Sequence, residues 1–179
     1  AGADAGWMTG ATSPSLPATG HWGGAAQVVL EGDEYIVSAT DRRSKFVLYH
    51  PSDVLLTSLV HDHVNVFPTF ADYEAPFRDL LRLLPADGLL AAREHPAIRA
   101  IAGQAGARIV WYGLEADCAW RAEEIAYGET TRFTLVGPGL RLPMLTGLLG
   151  EHNIENIVGV GAFLLEKSLV TPEAFQAAV

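Results

Sequence analysis

Two short segments carry the side chains best suited to chemistry. "HDHVNVFPTF", residues 61–70, places Asp62 between His61 and His63 directly after the apolar run "DVLLTSLV". "LEGDEY" places Glu31, Asp33 and Glu34 directly after "VVL". In open α/β sheets, ligands gather outside the carboxyl ends of the strands. If both apolar runs are buried strands, Glu31 and His63 end at that edge and can reach one cation, with Asp62 orienting a neighbouring group. Magnesium suits such a pair, because it takes one or two carboxylates and fills its shell with phosphate and water oxygens. No HxxxH or HExxH spacing supplies a third zinc ligand. Each segment also reads as a solvated polar turn, and local chemistry leaves both readings open.

Other polar groups cluster twice more. "DRRSKF" concentrates Arg42, Arg43 and Lys45 in an otherwise acidic chain, which fits either an anion contact or a solubilising turn. In "GEHNIENI", His152, Asn153 and Asn156 lie near a helix start, and residues three apart share a helix face. Helix starts favour anions and amides can read a purine edge, although capping by Asn153 alone would explain the polarity. No Ser-His-Asp, Cys-His or paired-carboxylate pattern stands out, and His21, His50 and His95 read as ordinary surface or core residues. The single cysteine, Cys118, excludes an intrachain disulfide framework and reads as a small buried residue. Trp7, Trp22, Trp111 and Trp120 are not at repeat spacing, which gives a stacking platform little support.

The chain that must position these groups has 179 residues, 49% of them hydrophobic, enough for one compact α/β body. Twelve Lys plus Arg against 21 Asp plus Glu give a net charge of −9 without any basic block, which argues against a nucleic-acid partner. A local basic group or a bound cation still permits an anionic substrate. The apolar runs are strand length, so neither a membrane span nor a signal peptide is expected, and the cytoplasm is the expected compartment.

Residues 1–25 are rich in Gly, Ala, Ser, Thr and Pro and read as loop. "AQVVLEGDEYIVSA", "KFVLYH" and "SDVLLTSLV" read as strands, the last of the type buried on both faces. Apolar spacing predicts a helix from Phe70 to Leu84, with Pro76 tolerated only in an early turn or at a kink. "GLLAAR", a helix over 96–104 and "ARIVWYG" have the rhythm of a parallel sheet. Alternation around Thr131–Val136 followed by "GPG" predicts an antiparallel hairpin. "GEHNIENIVGVGAFLLEKSL" reads as an apolar helix, and "TPEAFQAAV" starts another with a threonine cap and proline behind it. The expected fold is α/β, a mostly parallel sheet with flanking helices and a small antiparallel hairpin. No GxxxxGKS or GxGxxG phosphate loop occurs in it.

Taken in order, these segments resemble the ATP-dependent Mur ligases of peptidoglycan synthesis. "EGDEYIVSATDRRSKF" is similar to the family's "EADEYDTAFFDKRSKF", matching at Glu31, Asp33, Glu34, Tyr35, Asp41, Arg43, Ser44, Lys45 and Phe46. "HDHVNVFPTF" resembles "FDHADIFPDL" through Asp62, His63, Phe67 and Pro68. "GEHNIENIVGVGAF" resembles "GxHNxxNxxAAxA" through Gly150, His152, Asn153 and Asn156, and "ADAGWMTGATS" is similar to "DPGFLIGG". The "RSKF" tetrapeptide favours the branch that recycles cell-wall peptides over the alanine-adding branch.

The resemblance implies a central ATP-binding domain of a three-domain ligase, here residues 1–179 without the phosphate-loop portion, the UDP-binding domain or the C-terminal domain. Glu31 and His63 would hold magnesium, His152, Asn153 and Asn156 would lie near the nucleotide, and Arg43, Ser44 and Lys45 would contact substrate. The implied chemistry is ATP-driven formation of an acyl phosphate, then attack by an amine. The acceptor would be UDP-N-acetylmuramate and the amine donor the tripeptide L-alanyl-γ-D-glutamyl-meso-diaminopimelate. Ile36 and Asn65 replace two acidic residues of the family pattern, and no lysine follows "DH" in the 70–84 segment, as in these two branches. The isolated chain is expected not to hydrolyse ATP and, with an exposed sheet edge, to self-associate. The competing readings are a fragment of the alanine-adding ligase, a folylpolyglutamate-synthase-like ligase and a non-catalytic binding or scaffolding remnant.

Overall fold

The computed structural model describes residues 3–12 and 16–179. Within them a six-stranded sheet of order β4-β5-β6-β7-β8-β9 forms the frame, built from Val54–Leu56, Leu89–Arg93, Arg108–Gly113, Trp120–Ala126, Thr131–Gly137 and Leu140–Thr146. The first four strands run parallel, and β8 and β9 are antiparallel. The sheet is therefore mixed, and the parallel character is confined to β4–β7. The predicted hairpin is β8–β9, turning through Pro138 and Gly139, while β7 adds an antiparallel partner that the sequence reading did not place in a strand.

Alternation along β5 shows why the sheet carries helices on both faces. Leu90 and Ala92 join the core of α1 (Phe70–Arg82) and α2 (Pro96–Ala102), whereas Leu89 and Ala91 join the core of α3 (Glu151–Glu166) and α4 (Pro172–Ala178). All four are 0–1% exposed. Complete burial of such a leucine stabilises the fold by about 1.5–3 kcal/mol before entropy is counted. Strands β7–β9 turn their main apolar face inward: Trp120, Ala122, Phe133, Leu135 and Met144 pack under α3 and α4, while the opposite face carries polar Arg121, Glu123 and Arg141 around a buried Val136.

Local signals start the helices. Thr69 and Asp72 form a reciprocal capping box at α1, whose buried residues are Tyr73, Phe77, Leu80 and Leu81. The helix begins at Phe70, as the spacing predicts, and runs through Pro76, with Tyr73 and Phe77 buried on either side of it. His95 caps α2, which stops at Ala102 before Gly103 rather than at residue 104. Thr171 caps α4 with Pro172 behind it, as predicted.

The N-terminal third departs most from the sequence reading. Gly6–Met8 (β1), Gly20–His21 (β2) and Val28–Leu30 (β3) form a separate three-stranded sheet, so the region read as loop contains two strands. Residues 1–2 and 13–15 of that region lie outside the described residues. The "VVL" strand stops at Leu30, and Val28 and Val29 are 53% and 64% exposed. "KFVL" is a 3-10 turn, and "SDVLLTSLV" supplies only a three-residue strand.

Helix α3 runs antiparallel to the parallel strands. Near its start Glu155 accepts from Arg93 at the end of β5 (Nη2, 2.7 Å); near its end Glu166 accepts from Arg108 at the start of β6 (2.7 Å). Lys167 then binds Asp53 just before β4 at 2.8 Å, and the same carboxylate accepts the Leu89 N–H. The polar start of α3 therefore sits at the carboxyl edge of the sheet. Its middle comes so close that a Cβ on Gly159 would lie 2.5 Å from Cζ of the fully buried Tyr112.

Gly159→Ala is expected to cost about 1–3 kcal/mol, since the Tyr112 ring has no room to retreat. Gly103→Ala, where a Cβ meets nothing within 4 Å, is expected to be neutral or stabilising. Equal urea midpoints for the two variants would contradict the close approach. Burial raises the Glu166 carboxyl, but hydrogen bonds from Arg108 and Trp120 outweigh it and leave the group below its ordinary 4.5. A depressed carboxyl stabilises the fold above its unfolded value and loses that contribution as pH falls through the folded one. Stability is thus expected to fall below about pH 4.5, less steeply in Glu166→Gln; identical acid slopes would refute this role.

Candidate functional site

After β4 the chain buries Leu59 and then turns through the two histidines. His61 is structural: its Nε2 lies 2.8 Å from the Phe67 carbonyl, and its ring packs 5.7 Å from that of Tyr73. His63 occupies the left-handed region at φ 53°, which a non-glycine residue enters at a cost of order 1 kcal/mol. The contacts around it hold the turn. Asp62 accepts the His63 N–H at 2.6 Å, and the His63 carbonyl accepts from Val66 and Phe67 at 2.8 and 2.9 Å. Asp62 thus orders the backbone of its own neighbour.

The His63 imidazole faces Glu34. Its Nε2 lies 3.3 Å from Glu34 Oε1, and its edge meets the Tyr35 ring at a centroid distance of 5.0 Å. Tyr73 of α1 donates its hydroxyl to the same Glu34 oxygen at 3.3 Å, and Asn65 donates to the Tyr35 hydroxyl. Glu34 is therefore the carboxylate that the fold brings to His63. It stood in the acidic cluster of the sequence, but its separation from Glu31 depends on how the chain turns at Asp33, where the Tyr35 N–H bonds Asp33 Oδ1 at 2.8 Å.

Glu31 lies just beyond β3 and is held from the other side. Its Oε2 accepts from Thr9 Oγ1 at 2.6 Å and from the Gly10 N–H at 2.8 Å, and these bonds, Thr9 first, keep the carboxyl below its usual range. Oε1 accepts no hydrogen bond among the described residues. Also among the described residues, no three His, Cys, Asp or Glu side chains converge as a metal cage. Magnesium does not require one, since phosphate and water oxygens supply most of its shell. An exposed, ionised carboxylate with one oxygen unengaged, and an imidazole with its Nδ1 unengaged among these residues, have fitting donor chemistry.

The segment between Glu31 and the 3-10 turn folds back on itself. Ile36 and Ser44 form an antiparallel bridge, Arg43 grips Asp41 through two nitrogens at 3.0 and 2.7 Å, and Lys45 binds Asp33 at 2.8 Å. The Arg43 guanidinium pulls the Asp41 carboxyl down to about 2. Arg43 and Lys45 are thus each neutralised by a nearby carboxylate. Ser44 is buried, and Phe46 anchors the loop in the α1 core against Phe77.

Gly150, at φ 92°, turns the chain into α3, where a side chain would be strained. His152 is exposed, and Asn153 donates to the Leu149 carbonyl at 2.7 Å rather than capping the helix, whose N-cap residue is Gly150 with no side-chain cap. Asn156 lines a shallow groove of about 330 Å³ with Asn153, Leu148, Ile157 and Phe175. A larger hollow of about 750 Å³, between Trp120, Leu140 and Leu169, lies at the other end of α3, away from every predicted site residue. The Arg93–Glu155 pair between strand end and helix was missed by sequence reasoning; its only local signal is one charge ending "LLAAR" and one interrupting "NIENIVGV".

Residues 15–164 match the family described as "Mur ligase middle domain". The chain is 26% identical over 158 residues to UDP-N-acetylmuramate--L-alanyl-gamma-D-glutamyl-meso-2,6-diaminoheptandioate ligase of Haemophilus influenzae, covering 87% of this chain and 34% of that protein. It is 30% identical over 182 residues to UDP-N-acetylmuramate--L-alanine ligase of Renibacterium salmoninarum, covering 99% and 37%. The crystal structure of UDP-N-acetylmuramate:L-alanyl-gamma-D-glutamyl-meso-diaminopimelate ligase from Neisseria meningitides superposes with a TM-score of 0.78 at 21% identity, over 99% of this chain and 57% of that one. This chain spans about a third of the length of the two curated relatives. Both branches are related to it, and the comparisons do not separate them as the "RSKF" reading expected. With its site segments inside the matched region, the chain belongs to the Mur ligase family, through that family's middle domain.

Proposed function

We propose that this chain supplies the nucleotide- and magnesium-facing edge of an ATP-dependent ligase of peptidoglycan precursor synthesis. The observation that carries the reading is the seating of α3: its start, with His152, Asn153 and Asn156, lies at the same sheet edge as the turn after β4 that bears His63. Ligands bind outside the carboxyl ends of parallel strands.

In this reading Glu31 and His63 hold magnesium, whose contribution when bound is to offset charge on the transferred phosphoryl group. Thr9 and Gly10 keep the Glu31 carboxylate ionised and aimed. Asn156, at the rim of the apolar groove, offers an amide to a nucleobase while Leu148 and Ile157 exclude water from its face. Arg43 and Lys45 exchange Asp41 and Asp33 for a substrate carboxylate or phosphate, and buried Ser44 holds the loop that presents them. The overall reaction converts a substrate carboxylate to an acyl phosphate, which an amine then attacks to give an amide.

UDP-N-acetylmuramate is the proposed acceptor and the tripeptide the proposed amine donor, as "RSKF" and the Haemophilus relative suggest. The Renibacterium relative, 30% identical over nearly the whole chain, favours L-alanine as the second reading. Since 179 residues contain no GxxxxGK[ST] segment, we assign the activity to a longer protein with this chain as its middle portion and expect the isolated piece not to hydrolyse ATP. No helix among the described residues is long and apolar enough to cross a membrane. We place the protein in the cytoplasm, and exposed β3 is where an isolated chain would self-associate.

In the longer protein, Glu31→Ala and His63→Ala are each expected to lower turnover about tenfold or more at limiting magnesium. Excess magnesium should recover part of the loss. Wild-type rates for both variants across a magnesium titration would remove the metal assignment.

A further inference from the structure

We infer that Glu34 is a positioning residue for His63: its carboxylate holds Nε2, so that Nδ1 is the nitrogen presented to a divalent cation. The inference rests on the proposed reading of His63 as a metal ligand and adds the group that orients it. A ligating histidine is usually fixed by a hydrogen bond from its other ring nitrogen to a carboxylate, which sets tautomer and ring direction. Here the same two kinds of group meet at ion-pair distance, His63 Nε2 lying 3.3 Å from Glu34 Oε1.

Three neighbours make the arrangement specific. Tyr73, rooted in α1 and only 6% exposed, donates to the same Glu34 oxygen, so the carboxylate is referenced to the helix core rather than left free on its loop. The Tyr35 ring meets the imidazole edge-on and limits its rotation. The left-handed backbone of His63, held by Asp62, turns the side chain toward this group. Nδ1 accepts or donates no hydrogen bond among the described residues. Both neighbours approach Glu34 Oε1, whereas Glu31 is held separately, through Oε2, by Thr9 and Gly10.

The test is paramagnetic broadening by Mn2+ alone, read on the two imidazole nitrogens of His63 in the ¹⁵N-histidine-labelled 179-residue chain. Substoichiometric Mn2+ is expected to broaden Nδ1 before Nε2. Glu34→Ala is expected to abolish that preference and weaken Mn2+ binding by about tenfold, with an unchanged amide spectrum away from the site. Glu34→Gln, which keeps an acceptor oxygen, should restore the preference, and Tyr73→Phe should reduce it. Preferential broadening of Nε2, or an unaltered Nδ1 preference in Glu34→Ala, would overturn the positioning role while leaving His63 a ligand. Broadening of other residues with none at either His63 nitrogen would overturn the ligand assignment and this inference with it.

Discussion

The tethering of α3 at both ends is the constraint on which the remaining geometry depends. Arg93 holds the helix near its start and Asp53, through Lys167, holds it at its end, so it cannot slide along β5 and β6 without breaking an ion pair. Both pairs are partly shielded from water, where loss of one partner leaves a charge poorly compensated. Gly159 permits the contact with Tyr112 that draws helix and sheet together, and the Tyr112 hydroxyl reaches on to the Leu56 carbonyl at the end of β4. One helix thereby fixes the edge where β4 ends, which is where the histidine turn begins.

That turn shows how a short polar motif divides its labour. His61 braces Phe67 and Tyr73, Asp62 accepts from the backbone of its neighbour, and the half-buried His63 imidazole meets Glu34. The acidic cluster is divided in the same way. Asp33 serves Tyr35 and Lys45, Glu34 serves His63 and Tyr73, and Glu31 is aimed by Thr9 and Gly10. Residues of one chemical type within four positions therefore have separate partners, and composition alone could not have assigned them.

Much of the frame was legible because its signals are local. The helical apolar spacing from Phe70 onward, proline behind Thr171, the alternation of β8 and the unbroken apolar run of β5 each name an element within a few residues. β1 and β2 escaped because strands of two or three residues show no periodicity, while β3, read as a strand, is apolar without being buried. In β7 the outward Arg121 and Glu123 masked the inward Trp120 and Ala122. At the site, residue types were legible and partners were not. Arg93 and Glu155 stand 62 positions apart, Glu34 and Tyr73 39, and only the fold joins them.

The most direct measurement is amide chemical-shift mapping of this chain during titration with ADP, with and without magnesium. A shared nucleotide and metal edge is expected to give magnesium-dependent shifts in two places at once, around residues 152–156 at the start of α3 and around Glu31 and His63. Shifts confined to the hollow near Trp120 and Leu169, shifts indifferent to magnesium, or no response at either segment would contradict it.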